Sequence, residues 1–180
     1  SVTAINNTVD NSNNNSNNTT VNNNSSTPVI NICLNLYGTP DPAPLRRRPE
    51  LVARACKDFL RCAEEVVTAV YFDPLTPENH TMCILDATWP DAAYFTGAWH
   101  TRTRFDVAWG ALRTCVDLLL EVFGSQVSED VHEQRVILMD PDDEATHRCV
   151  ASVQAAMERA RVAPAVEMAV RQAFAAAPPL

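Results

Sequence analysis

Three stretches of this sequence repeat an apolar side chain every three or four residues, and each carries a cysteine in the repeat. The first runs Val52, Cys56, Phe59, Ala63, Val66, Val70; the second Phe105, Ala108, Leu112, Cys115, Leu119, Val122; the third Cys149, Val153, Ala156, Ala160. That period predicts amphipathic helices, each with one face that something else must cover. The flanks agree. Pro49 suits a first helical position and Gly124 a C-terminal stop, while Asp140-Pro141-Asp142-Asp143 offers an N-cap, a proline and acids for the positive helix end. Pro164 ends or kinks the third helix, and Val166, Val170, Ala173 and Ala177 continue as a last one.

Shorter apolar runs lie between these helices. Residues 29–37 alternate apolar and polar side chains, residues 82–85 form a brief apolar run among prolines, and residues 135–139 form another. Each reads as a strand, with a further one hidden at residues 66–72. The Pro-rich residues 38–44 break regular structure. The expected fold class is therefore α+β, a helix-rich single domain with three to four amphipathic helices on one face of a small sheet. The alternative is an all-α four-helix, cytokine-like bundle in which the short runs are extended crossovers. There is no internal repeat.

Residues 1–28 stand apart. They hold 11 Asn, 10 Ser or Thr, one charge (Asp10) and no aromatic ring, which is too little apolar surface to fold. We read 1–28 as a disordered, glycosylated arm and 29–180 as a single disulfide-stabilised globular domain. The arm contains six Asn-X-Ser/Thr sequons, at Asn6, Asn14, Asn17, Asn18, Asn23 and Asn24. From Gly38 to Leu180 there is one Asn, and it begins a seventh sequon, Asn79-His80-Thr81. Only 13 of those 143 residues are Ser or Thr, so this sequon is the most informative of the seven. Together they predict a secreted or surface-displayed glycoprotein. A start at Ser1 without a charged, apolar leader fits a mature chain from which a signal peptide has been removed. No window of 18 uninterrupted apolar residues occurs, so no membrane span is expected.

Six cysteines, Cys33, Cys56, Cys62, Cys83, Cys115 and Cys149, fit an oxidising compartment. We expect at least two disulfides, each stabilising by about 2–4 kcal/mol. Cys56 and Cys62 lie about 9 Å apart along one predicted helix and about 120° around it, beyond disulfide reach unless the helix breaks. No Cys-X-X-Cys pair occurs, so neither a metal site nor a cofactor is expected.

The net charge of −8 argues against a nucleic-acid partner, which calls for a basic face. The basic run Arg46-Arg47-Arg48 reads as a solvated hinge. With four glycines in the chain there is no phosphate-binding glycine loop and no GxSxG elbow. His132 beside Glu133, and His147 near Asp143 and Cys149, read as surface histidines among acids, so no catalytic residue is assigned. A single Trp109-Gly110 step is shared with Bcl-2-like proteins, and one dipeptide assigns no family.

The most suggestive segment packs Trp89, Tyr94, Phe95, Trp99, His100, Arg102, Arg104 and Phe105 into 17 residues. Trp, Tyr and Arg on loops are the residues of binding hot spots, though such rings also close cores. Trp89, Tyr94, Phe95, Trp99, Arg102 and Arg104 are the protein-binding candidates. The expectation is a non-enzymatic ectodomain that binds another protein, a receptor, ligand or complex subunit, in the manner of a pathogen-encoded immune modulator or an entry or adhesion subunit. A helical cytokine-like ligand and a secreted hydrolase without a recognisable motif are the alternatives.

Overall fold

The computed structural model describes residues 32–86 and 88–175. In chain order it contains α1 (Ala43–Arg46), α2 (Pro49–Ala55), α3 (Phe59–Tyr71), β1 (Met82–Cys83), β2 (Asp91–Phe95), β3 (Trp99–Thr103), α4 (Arg104–Phe123), α5 (Glu129–Ile137), α6 (Glu144–Arg159) and α7 (Pro164–Ala175). The strands form an antiparallel sheet in the order β1-β2-β3. The fold is α+β and helix-rich.

Helix α4 is central. Thr103 caps it by accepting from Asp106 N at 3.1 Å, and its apolar stripe buries Val107, Ala108, Ala111, Leu112, Cys115, Val116 and Leu119. It packs on α3, α6 and β2, and each fully buried Leu or Val on it contributes about 1.5–3 kcal/mol. Gly110 has a specific reason to be glycine: a Cβ there would sit 2.6 Å from the Tyr37 hydroxyl, which donates to Val107 O.

The first predicted helix is two. Asp58 accepts from Arg61 N at 3.3 Å and starts α3, while α2 ends before Cys56. The groups freed by the break are taken up from afar. Ser128 N donates to Cys56 O at 2.8 Å, and Gln134 bridges Leu60 N (3.0 Å) and the Asp58 carboxylate (3.0 Å).

Several strand expectations are corrected. Residues 66–71 belong to α3, and residues 135–137 to α5, where Val131 and Leu138 point inward, seven residues apart, while Val136 is 68% exposed. Residues 32–37 form no strand, making an isolated bridge of Leu36 with Thr39 and single backbone bonds from Asn35 N to Glu78 O and Tyr37 N to Phe95 O; the rest of the strand expected at 29–37 lies outside the described residues. The cap of α6 is Asp143, accepting from Ala145 N and Thr146 N, rather than Asp140.

The sheet is covered on both faces rather than one. Met82 and Ala92 join the main core made with α2 to α6. Cys83, Ala93 and Phe95 face the other way and join Leu34 with Val166 and Val170 of α7 in a second, smaller cluster. This arrangement follows from the pleat, since neighbours along a strand point to opposite faces.

The disulfide expectation is not met. All six cysteines are free thiols: Cys56, Cys62, Cys83 and Cys115 buried, Cys149 half-buried and Cys33 exposed. Cys83 belongs to the second cluster, while Cys56, Cys62 and Cys115 line the main core. Burial pushes the Cys83 thiol up to about 12 and that of Cys115 higher still, so both behave as apolar core groups.

Candidate functional site

The segment 89–105, which lacks a clear period in sequence, is a β-ribbon. Strands β2 and β3 pair from Asp91 with Thr103 to Phe95 with Trp99, around a tight connection in which Gly97 adopts φ 96°. Alternation then sorts the candidates. Tyr94, His100 and Arg102 share the face toward α4, with the Tyr94 ring 5.6 Å from Tyr37, 5.6 Å from His100 and 5.5 Å from the Arg102 guanidinium. Phe95 and Trp99 share the α7 face, their rings 5.2 Å apart.

Among the described residues no strand pairs with the outer edge of β3. Phe95 N donates to Thr81 O at 2.9 Å and Phe95 O accepts from Tyr37 N at 2.8 Å, both away from β3. In an antiparallel ladder the backbone direction alternates, so Tyr94 and Ala92 bond to His100 and Arg102. The amides of Trp99, Thr101 and Thr103 therefore point outward. Residues 100–103 are exposed, Arg102 makes no ion pair with a described residue, and residues 92–105 contain no acid although the chain is strongly acidic overall.

The other candidates have different fates. Phe95 is core, and Trp99 is half-buried with its indole N–H enclosed and without an acceptor. Arg104 is tied to Glu158 at 2.8 Å and to Asp86 O at 3.1 Å, so it fastens the ribbon to α6. Trp89 is 46% exposed and lies outside the ladder. Phe105 packs on Trp109 and His147.

The structure places Asn79 in the interior, where the sequon reading calls for a surface loop. Its side chain is fully buried and bonded on both ends: Oδ1 accepts from Asn35 Nδ2 (2.7 Å) and Asp41 N (2.9 Å), and Nδ2 donates to Asp41 O (2.9 Å). A sugar on Nδ2 would displace its bond to Asp41 O, so glycosylation and this packing are alternatives. The sequons at Asn6, Asn14, Asn17, Asn18, Asn23 and Asn24 lie outside the described residues.

Asn79 belongs to a buried junction. Next to it His80 is 3% exposed, with Nε2 3.1 Å from Asp73 O and Nδ1 2.8 Å from Ala163 N. Asp73 in turn holds Arg47 at 2.7 Å and Arg48 at 3.7 Å, and Arg47 also donates to Thr76 at 2.5 Å. Arg47 and Arg48 of the basic run are thus tied to Asp73 while their side chains stay 41% exposed to solvent. Beside it lies an open groove of about 710 Å³ between α2 and α3, whose Arg54 and Glu65 pair with each other and whose Glu64 pairs with Arg159.

His132 and His147 are exposed on α5 and α6, and no group of three His, Cys, Asp or Glu side chains suited to a metal occurs among the described residues. No described helix is long and apolar enough to cross a membrane. Comparison with family models, curated proteins and solved structures finds no match to any of them.

Proposed function

We propose that this chain is a non-enzymatic protein-binding module that takes an extended, acidic segment of its partner onto β3 as a fourth strand. The observation that carries the reading is the outward row of Trp99, Thr101 and Thr103 backbone groups on an exposed edge. Arg102 flanks that row with a fixed positive charge, so a carboxylate on the facing position of the incoming strand complements it.

The test uses acetylated octapeptides of alternating Val with Glu or Lys, titrated onto the whole chain by calorimetry. The Glu peptide is expected to bind at least 10-fold more tightly than the Lys peptide, and Arg102→Glu to reverse that order. Thr101→Pro, which removes one outward N–H at an edge position, is expected to abolish binding with the helical spectrum unchanged. Equal binding of both peptides, or full binding by Thr101→Pro, would sink the proposal. Self-association through β3 in the absence of peptide would replace it with a dimer.

For the compartment, the reading of an extracellular glycoprotein, an immune modulator or entry subunit among them, rests on the six sequons of the arm. A reducing compartment is the second reading, favoured by six free thiols and the buried Asn79. Intact mass after expression in a secretory host separates them. Enzymatically removable sugar supports the first reading, whereas a bare chain with six alkylatable thiols supports the second.

A further inference from the structure

The hydrogen bonds of His80 fix its tautomer. Ala163 N–H donates to Nδ1, so Nδ1 carries no proton, and the neutral ring must hold its proton on Nε2, which donates to Asp73 O. A second proton would place an N–H at Nδ1 facing the N–H of Ala163, with no acceptor between them. A buried imidazole cannot take that proton while the contact with Ala163 persists.

Ala163 is the hinge of the last helix. Chain direction changes between Arg159, where α6 ends, and Pro164, where α7 begins. Ala163 O accepts from Val166 N at 2.9 Å and Glu167 N at 3.0 Å, so this one residue closes the first turn of α7 and also binds His80. Beyond the hinge, α7 lies on the sheet through Val166 and Val170, over Cys83, Ala93 and Phe95.

We propose that His80 is a proton-operated latch: protonation at Nδ1 breaks the bond from Ala163 and releases α7, baring the apolar sheet face of Cys83, Ala93 and Phe95. This inference is independent of the partner reading of β3.

The surroundings set the direction. Burial lowers the His80 pKa from its ordinary 6.5, against the Asp73 carbonyl and the Asp73 and Glu78 charges, which pull it up. The charged groups around the ring are Asp73, neutralised by Arg47 and Arg48, and Glu78 on its own loop; the hinge and α7 bring Arg161, Glu167 and Arg171, the last two paired at 2.9 Å. Because the latched ring is the poorer base and the released ring titrates near 6.5, the latch is fully set above about pH 6.5 and weakens as pH falls below it.

Hydrogen exchange of the whole chain, read by mass spectrometry and corrected for intrinsic rates, tests this at pH 7.5 and 5.0. Peptides covering α7 are expected to lose protection at least 10-fold at pH 5.0 while peptides of α4 keep theirs. His80→Gln, whose amide can accept from Ala163 and donate to Asp73 but does not titrate, is expected to abolish the pH dependence. Unchanged protection of α7 in the wild type, equal loss in His80→Gln, or simultaneous loss in α4 would each overturn the latch. Should the variant not fold, the wild type decides alone: the imidazole titration by NMR and the release of α7 must share one midpoint, and two separate midpoints refute it.

Discussion

The junction of residues 73–81 and the ribbon of β2 and β3 hold comparable polar groups in opposite ways. In the junction Asp73, Asn79 and His80 are buried and engaged: Asn79 ties residues 35 and 41, His80 ties the α7 hinge, and Asp73 ties Arg47 and Arg48. In the ribbon the backbone row at Trp99, Thr101 and Thr103 and the Arg102 charge are left open. A buried polar group with all its partners specifies one arrangement of the chain, whereas an open one is available to another molecule. The difference explains why the most informative of the seven sequons, Asn79-His80-Thr81, joins segments of the chain here, and why the β3 edge is the better place to look for a partner.

Four changes test how deep that contrast runs. The largest effect belongs to Asn79→Ala, which leaves Asn35 Nδ2 and the Asp41 amide and carbonyl without their partner and should cost about 3 kcal/mol in denaturant unfolding. A cost under about 1 kcal/mol would mean the junction is not a structural node. Next is Gly110→Ala, which forces Tyr37 away from Val107 O and disturbs its packing on Tyr71 and Tyr94. Overpacking here should outweigh the gain in helix propensity and destabilise by about 1–2 kcal/mol. Removing the hydroxyl with Tyr37→Phe should recover part of it, and a strictly additive double mutant would contradict the close approach.

Asp73 gives a smaller, pH-dependent effect. Burial pushes its carboxyl up, but hydrogen bonds from Arg47 and Leu75 N and the nearby Arg48 more than offset this and hold it below its ordinary 3.8. A depressed carboxylate stabilises the fold above about pH 3.8 and loses that contribution as pH falls through its native value. With both arginines partly exposed, the contribution should be about 1 kcal/mol or less. Asp73→Asn should therefore flatten the melting temperature between pH 4 and 2.5, apart from the His80 window higher up. Smallest is Arg102→Ala, which should move stability by no more than about 0.5 kcal/mol. A larger loss would show the ribbon to be as structural as the junction.

Much of the helical framework was legible because period and caps are local. The stripe of α4, Val153 and Ala156 of α6, and Val166 and Val170 of α7 needed no long-range information. By contrast, Ala173 is exposed, Ala177 lies outside the described residues, and Pro164 opens α7 rather than ending α6, which stops at Arg159. The split between α2 and α3 was not legible, since Asp58 alone is a weak cap and its completion by Gln134 comes from 76 residues away. The run from Val136 to Met139 misled for a related reason. A short contiguous apolar run has no period, and only its partners decide that Leu138 is buried and Val136 exposed. In the site, the aromatic and basic residues were visible, while the hairpin turning at Gly97 was not. The stacking of Arg102 and His100 on Tyr94 required the register of the ribbon, which composition does not encode. His80, read only as the middle residue of a sequon, carried no local signal of its double hydrogen bond.

The position of α7 over the sheet has a consequence for synthesis. Val166 leaves the ribosome about 70 residues after Phe95, an interval of about 4–14 s at ordinary elongation rates. During that interval the ribbon can form and the main core is completed as α4 to α6 emerge, while the face carrying Cys83, Ala93 and Phe95 lacks its cover. The nascent chain thus presents an apolar sheet face to chaperones and to neighbouring chains until α7 arrives to cover it.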